Sequence, residues 1–291
     1  MDNKFNNMIN EFLANTDAKD EKELNEKLQE FMQKYNAGEI DYTNTILDDA
    51  YELLEKAENT KSKTQAIKYA KEAYDMCPDC FDAILFQVHL EDNPLKRWKL
   101  LEEGLEFEKD RLENEEYFKK DNMGHFYGIF ETRPYIRGLF AKADYLVLDG
   151  KIKQARDVCK EILKLNENDN TGARYLLMAI YAYLEEENDM LKLYKKYPEE
   201  NLEMLFPLFI LYYKQGNDKK TKEYLDRINK ANPDFIKFFK GIMKENTKVP
   251  DGYYSKGDSS EVIMYFKNYD FLVETIPTID YYILENSKKK K

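Results

Sequence analysis

The chain has 291 residues, 43% of them hydrophobic and 35% charged, and a net charge of -11. That length and apolar share allow a sizeable core, while the acidic balance repels phosphate backbones and makes nucleic acid a poor partner. No run approaches about 18 apolar residues, so no membrane span is expected, and the start, MDNKFNNMINEFL, lacks the basic-then-apolar order of a signal peptide.

Residues 3–13 place Phe5, Met8, Ile9, Phe12 and Leu13 at helical spacing. A second helix over about 20–36 carries Leu24, Leu28, Phe31, Met32 and Tyr35, and Gly38 ends it where the chain must turn left-handed. Residues 1–38 thus form an N-terminal pair. Over 47–80 a regular pattern starts, with Ala50, Leu53, Leu54 and Ala57 in a first helix, Ala66, Ala70 and Ala73 in a second, and Pro78 closing it. Small residues are needed where two helix axes approach closely. Phe81–Leu90 and Leu95–Leu112 supply another pair around the Asn93-Pro94 turn, so 39–112 holds the first repeat-like pairs. Residues 113–131 break the period as an insertion.

The pattern returns over 136–169 (Ala143, Gly150, Ala155) and over 202–235 (Leu205, Phe209, Tyr212, Gly216, Leu225, Pro233). Gly150 and Gly216 take the same turn position 66 residues apart, so a degenerate repeat must lie between them, over about 170–201. Its first helix is marked by Tyr175, Leu176, Met178, Ala179, Tyr181 and Ala182, and its short second helix ends near Pro198. Residues 132–240 are therefore the central and C-terminal repeats. After Phe239 the pattern fades into a closing segment, 241–291. It contains a turn at Val249-Pro250-Asp251-Gly252, a helix start at Asp258-Ser259-Ser260-Glu261, and a frayed basic tail, Lys288–Lys291. A period of about 34 residues, two helices per unit and small residues at the crossings predict an all-α fold. It is a tetratricopeptide (TPR)-like α-solenoid, a right-handed superhelix of antiparallel helix pairs.

Two motifs carry a closer resemblance. Gly124-His125-Phe126-Tyr127-Gly128-Ile129-Phe130-Glu131-Thr132-Arg133-Pro134-Tyr135-Ile136-Arg137 resembles the G-x-F-W-G-x-x-E-T-R-P-Y-M-R signature of a bacterial TPR family, itself similar to the eukaryotic suppressor-of-tumorigenicity-seven proteins. The stretch from Leu165 to Tyr175, LNENDNTGARY, is similar to that family's L-N-P-N-D-N-x-G-x-R-Y, and Gly257–Glu261 to its closing segment. The departures are Tyr127 for Trp, Ile136 for Met and Glu167 for Pro. The resemblance implies a helical repeat, an intracellular setting and an interaction role, and it supplies no catalytic residue.

Candidate site residues gather around these motifs. Arg137 and Arg174 fall at positions 2 and 5 of adjacent first helices, positions that in TPR arrays usually face the concave groove. Two guanidiniums there would clamp a carboxylate or phosphate. Alternatively Glu131, Arg133, Asp169 and Asn170 join them in an internal network between repeats. Thr132 is expected to cap a helix with Pro134 in its first turn. Phe140, Tyr181, Phe206 and Tyr213 make an aromatic stripe along the same face, with Phe126 and Tyr127 on the insertion. Tyr127, Tyr181 and Tyr213 are the candidates for partner contact, set against plain core packing. The carboxylate clamp of chaperone-tail binders needs Lys and Asn at positions 5 and 9, where this chain has Tyr51 with Glu55, Phe140 with Asp144 and Phe206 with Ile210.

Metal and catalytic patterns are weak. Cys77-Pro78-Asp79-Cys80 lacks two further zinc ligands and a βαβ setting, and with Cys159 it makes a sparse, odd count that fits a reduced cytoplasmic chain. The two histidines are His89 and His125, the latter near Glu131. There is no phosphate-cradling glycine loop, no H-E-x-x-H and no G-x-S-x-G. The expectation is an interaction scaffold without catalytic residues, cofactor or metal, whose partner is another protein or peptide. The alternative is a helical-repeat enzyme or small-ligand sensor with a pocket formed by 113–137.

Overall fold

The computed structural model describes residues 3–40, 42–241, 253–274 and 276–286. The Val249–Gly252 turn and the Lys288–Lys291 tail lie outside the described residues. The helices run α1 (Asn3–Ala14), α2 (Glu21–Ala37), α3 (Ile46–Asn59), α4 (Lys63–Met76), α5 (Phe81–Leu90), α6 (Pro94–Asn114), α7 (Arg133–Leu148) and α8 (Ile152–Leu165). They continue with α9 (Ala173–Leu184), α10 (Glu187–Lys196), α11 (Leu202–Lys214), α12 (Asp218–Ala231), α13 (Phe235–Phe239), α14 (Ser259–Asn268) and α15 (Ile279–Asn286). No strand forms among the described residues, only an isolated bridge between His125 and Asn166. The fold is all-α, with helices packing in sequence-adjacent pairs such as α3–α4, α5–α6, α7–α8, α9–α10 and α11–α12, as the helix pairs of an α-solenoid do. No helix among the described residues is long and apolar enough to cross a membrane.

Two compact units divide the chain, Met1–Glu115 and Glu116–Lys291. In the first, Phe5 and Phe12 of α1 meet Tyr35 and Phe31 of α2, with ring centroids 4.8 and 4.9 Å apart. Asp20 caps α2 by accepting from the Glu23 N–H, and Gly38 ends it at φ 70°. Thr45 and Asp48 close a reciprocal capping box on α3. The small residues predicted at the α3–α4 crossing do the packing: Ala50, Ala70 and Ala73 are fully buried and form one cluster with Leu54, Cys77, Cys80 and Ala83. Asn93 caps α6, whose first residue is Pro94, a position where the missing N–H costs nothing.

In the second unit the repeat is written into the backbone. The second helices α8, α10 and α12 end on Asn166, Tyr197 and Asn232, with φ/ψ of -137/84, -126/75 and -136/97. Cys77, at the end of α4 in the first unit, takes -138/90. Between first and second helices, Gly150 and Gly216 turn left-handed at φ 70° and 67°. The degenerate repeat makes the same turn without glycine, using Glu185 at φ 60°. In all three turns the next residue's N–H reaches five residues back, from Lys151 to Leu146, Glu186 to Tyr181 and Asn217 to Tyr212.

The closing segment departs from a simple continuation of this pattern. It folds back over the first helices: Phe206 of α11 is met by Tyr265 and Phe266 of α14, both at 5.3 Å. Tyr282 of α15 lies 6.0 Å from Phe209 and 5.1 Å from Tyr213. Phe271 lies 5.9 Å from Tyr183 of α9.

Candidate functional site

The two motifs come together. The His125–Asn166 bridge and a 2.8 Å bond from the Glu167 N–H to the Gly124 carbonyl fasten the insertion to the turn after α8. Phe126 is fully buried against Phe118, and His125 and Glu131 are exposed. Thr132 corrects its expectation. It occupies the cap position of α7, but its hydroxyl makes no cap bond and instead donates back to the carbonyls of Phe126 and Ile129. It ties the insertion shut, while Pro134 does sit in the first turn. Arg133 donates from Nε to the Tyr127 carbonyl at 2.7 Å and lies over the rings of Phe130 (3.8 Å) and Tyr127 (5.5 Å). Stacking of this kind orients a guanidinium without burying it.

Arg174 is the centre of a network. Its guanidinium meets Asp169 at 2.7 Å and Glu199 at 2.8 Å, and lies 4.0 Å over the Tyr175 ring. Asp169 also accepts from the N–H groups of Ala173 and Arg174, which are orphan donors at the start of α9. Burial pushes the Asp169 pKa up although all these donors pull it down. Glu199 gathers Tyr175 (2.9 Å), Asn201 (2.9 Å) and Lys256 (3.2 Å) as well. The network therefore joins the α8–α9 turn, the α10–α11 turn and the closing segment. Asn170 is exposed, and Glu131 is exposed on the insertion. Glu199 and Lys256 escaped sequence reasoning because their partners lie 25 and 57 residues away, outside any local pattern.

The aromatic stripe divides. Tyr181 is 4% exposed among buried neighbours, and burial raises its pKa to about 12, so it offers no face to a partner. Phe206 is fully buried. Tyr213 is half-buried, its hydroxyl 2.7 Å from the Thr278 hydroxyl, so the closing segment already engages it. Phe140, Arg137 and Tyr127 are half-buried.

Glu261 holds this closure in place. Asp258 caps α14 through the Ser260 N–H at 2.7 Å. The Glu261 carboxylate, rather than serving a local box on Asp258, turns inward. It accepts from the Leu202 N–H (3.1 Å), Asn232 Nδ2 (2.7 Å) and the Gly257 N–H (2.7 Å). Glu203, one residue into α11, accepts from the Tyr254 hydroxyl, and burial pushes its pKa up.

Cys77 and Cys80 are buried free thiols at the end of α4 and the cap of α5, and burial raises the Cys80 pKa to about 12. Among the described residues no group of three His, Cys, Asp or Glu side chains is placed to hold a metal. In the first unit, α1 and α2 frame a cleft of about 430 Å³ lined by Met8, Phe12 and Phe31 with Lys27, Glu30 and Lys34. No protein-family model matches the chain, and no curated protein compared with it is significantly similar.

Proposed function

We propose that the chain is an interaction protein of the tetratricopeptide type, without catalytic activity, that holds a segment of another protein against the inner face of its first helices. One observation carries this reading. Arg137, Phe140 and Asp144 on α7 stand two repeats before Glu203, Phe206 and Ile210 on α11. The α11 residues are buried, and Glu203 and Phe206 touch the closing segment. Their α7 counterparts are half-buried or exposed. A face that accepts aromatic helices of its own chain at α11 has the chemistry to accept a partner's helix or extended segment at α7. The resemblance to the bacterial repeat family favours a cytoplasmic setting for this role.

The alternative, an enzyme or sensor with a pocket in the insertion, draws less support. Phe126 and Thr132 are buried inside the insertion, and its polar residues His125 and Glu131 are exposed on the surface rather than sunk in a pocket. Photo-crosslinking decides the matter. A benzophenone side chain placed at Phe140 or Asp144 should give partner adducts in the native cell, and one at Ile210 should give none. Adducts at Ile210 alone, or at no position, would remove α7 as the binding face.

A further inference from the structure

The α7 face named above continues past Arg137 to the start of the helix. Arg133, Arg137, Phe140 and Asp144 recur at helical spacing, and all keep contact with solvent. Arg133 is the member of this row with donors to spare. Its Nε donates to the Tyr127 carbonyl at 2.7 Å, and its guanidinium lies 3.8 Å over the Phe130 ring and 5.5 Å from the Tyr127 ring. Nη1 and Nη2 make no hydrogen bond or ion pair among the described residues. The group is held by one nitrogen and one face, and its outer fork stays open.

The carbonyl that anchors it stands in a fixed loop. The Thr132 hydroxyl donates to the carbonyls of Phe126 and Ile129, the Gly128 N–H donates to the His125 carbonyl at 2.7 Å, and Phe126 is buried. A free arginine loses rotamer freedom when it binds a ligand, and here much of that loss is already incurred on folding. Gly128 follows directly on the anchoring carbonyl. It is exposed, its φ is outside the left-handed region, and a Cβ built on it would meet nothing within 4 Å. Neither backbone conformation nor internal packing asks for glycine there. Its missing side chain leaves room beside the guanidinium for another backbone to come close.

The open fork suits a planar group with two acceptors and one negative charge. A carboxylate meets Nη1 and Nη2 with parallel bonds. A phosphate dianion would ask for a second cation, and the next basic residue of α7, Arg137, is already engaged. A polyanion would also be repelled by the net charge of -11.

We propose that Arg133, stacked on Phe130 and anchored to Tyr127, binds a carboxylate at the head of the α7 face, with Gly128 leaving room for the bound segment. The carboxylate belongs to an aspartate or glutamate of the partner segment, so the inference rests on the interaction reading above and adds the chemistry of one contact. A free carboxylate presents the same group.

The test uses the full chain with two probes, propionate and a pool of short acetylated, amidated peptides with a central glutamate. The control pool carries glutamine at that position. The side-chain Nε–H resonance of Arg133 reports the site, and calorimetry reports the affinity. Expected is a saturable shift with both carboxylate probes, with about tenfold weaker binding of the glutamine pool and of the glutamate pool to Arg133→Lys, which keeps the charge without the fork. Gly128→Ala disturbs no internal contact, so it should melt no lower than the parent yet bind the glutamate pool about threefold more weakly. A shift with propionate but not with the glutamate peptides would keep the carboxylate contact and overturn the peptide as its source. Partner adducts at Phe140 that Arg133→Lys leaves undiminished would sustain the interaction function and overturn the carboxylate contact. No saturable shift with either probe, or equal affinity for the glutamate and glutamine pools, would overturn the site itself.

Discussion

The first helices α7 and α11 are the same structural part used in two ways. Both open a helix pair, both end in a left-handed glycine turn, and their inward positions correspond residue for residue two repeats apart. On α11 those positions are Glu203, Phe206 and Ile210, sealed from water, with a carboxylate that must find a tyrosine hydroxyl to be tolerated. On α7 they are Arg137, Phe140 and Asp144, which keep contact with solvent. Repeat architecture makes the units equivalent, and what lies over each unit decides whether its inner face is core or surface.

The sharpest way to break this comparison is a matched pair of truncations. Phe206→Ala should lower stability by about 3–5 kcal/mol, since it empties a packed aromatic site. Phe140→Ala should cost less, about 2 kcal/mol, because its side chain is only partly buried. Urea unfolding midpoints measure both, and equal losses would mean that α7 is as closed as α11. Next in size, Glu261→Ala leaves the Leu202 N–H, Asn232 Nδ2 and Gly257 N–H without their acceptor. A loss of about 3 kcal/mol is expected, together with faster amide hydrogen exchange across α14. Unaltered exchange there would show that the aromatic contacts alone hold the segment.

Asp144→Asn probes the open side. The folded pKa of Asp144 is raised to about 6 from 3.8, so its favourable contribution is complete below pH of about 4 and is lost as pH climbs through about 6. The Asn variant should therefore be more stable than the parent at pH 8. The gain is about 1 kcal/mol or less once solvent screening of an exposed group is allowed for. At pH 4 the two proteins should melt together, and a gain that persists there would assign the effect to something other than this charge. The smallest effect tests the equivalence of the repeats. Glu185→Gly removes a side chain from a left-handed turn, and a gain of about 0.5–1 kcal/mol in thermal melting is expected.

Much of this was legible in the sequence because it is local. The alanines at crossings, the glycine turns, Gly38, the Asn93-Pro94 start and the hidden repeat between Gly150 and Gly216 all follow from spacing and side-chain size. What escaped is non-local or depends on competition among bonds. Thr132 looked like a cap, but a hydroxyl facing two loop carbonyls serves them instead. Glu261 sat at capping-box spacing, yet a donor 59 residues away claims it. Tyr181 carries a polar tip that suggested a surface role, and helix neighbours cover it. Nothing periodic in 253–286 announces that it returns over α9 and α11, because its aromatic residues match a face built elsewhere in the chain.

The aromatic knot at that return has a consequence for a shortened chain. Phe266 lies flat on Phe238, 4.8 Å away and 7° from parallel, with Phe235 and Phe239 beside it. Stacked helix pairs tend to recruit another pair wherever an oily end is left bare. Here Phe266 of α14 covers the aromatic face of α13 from within the same chain. A polypeptide cut before Tyr253 would lose that cover and should assemble end to end, with a sedimentation coefficient that rises with concentration.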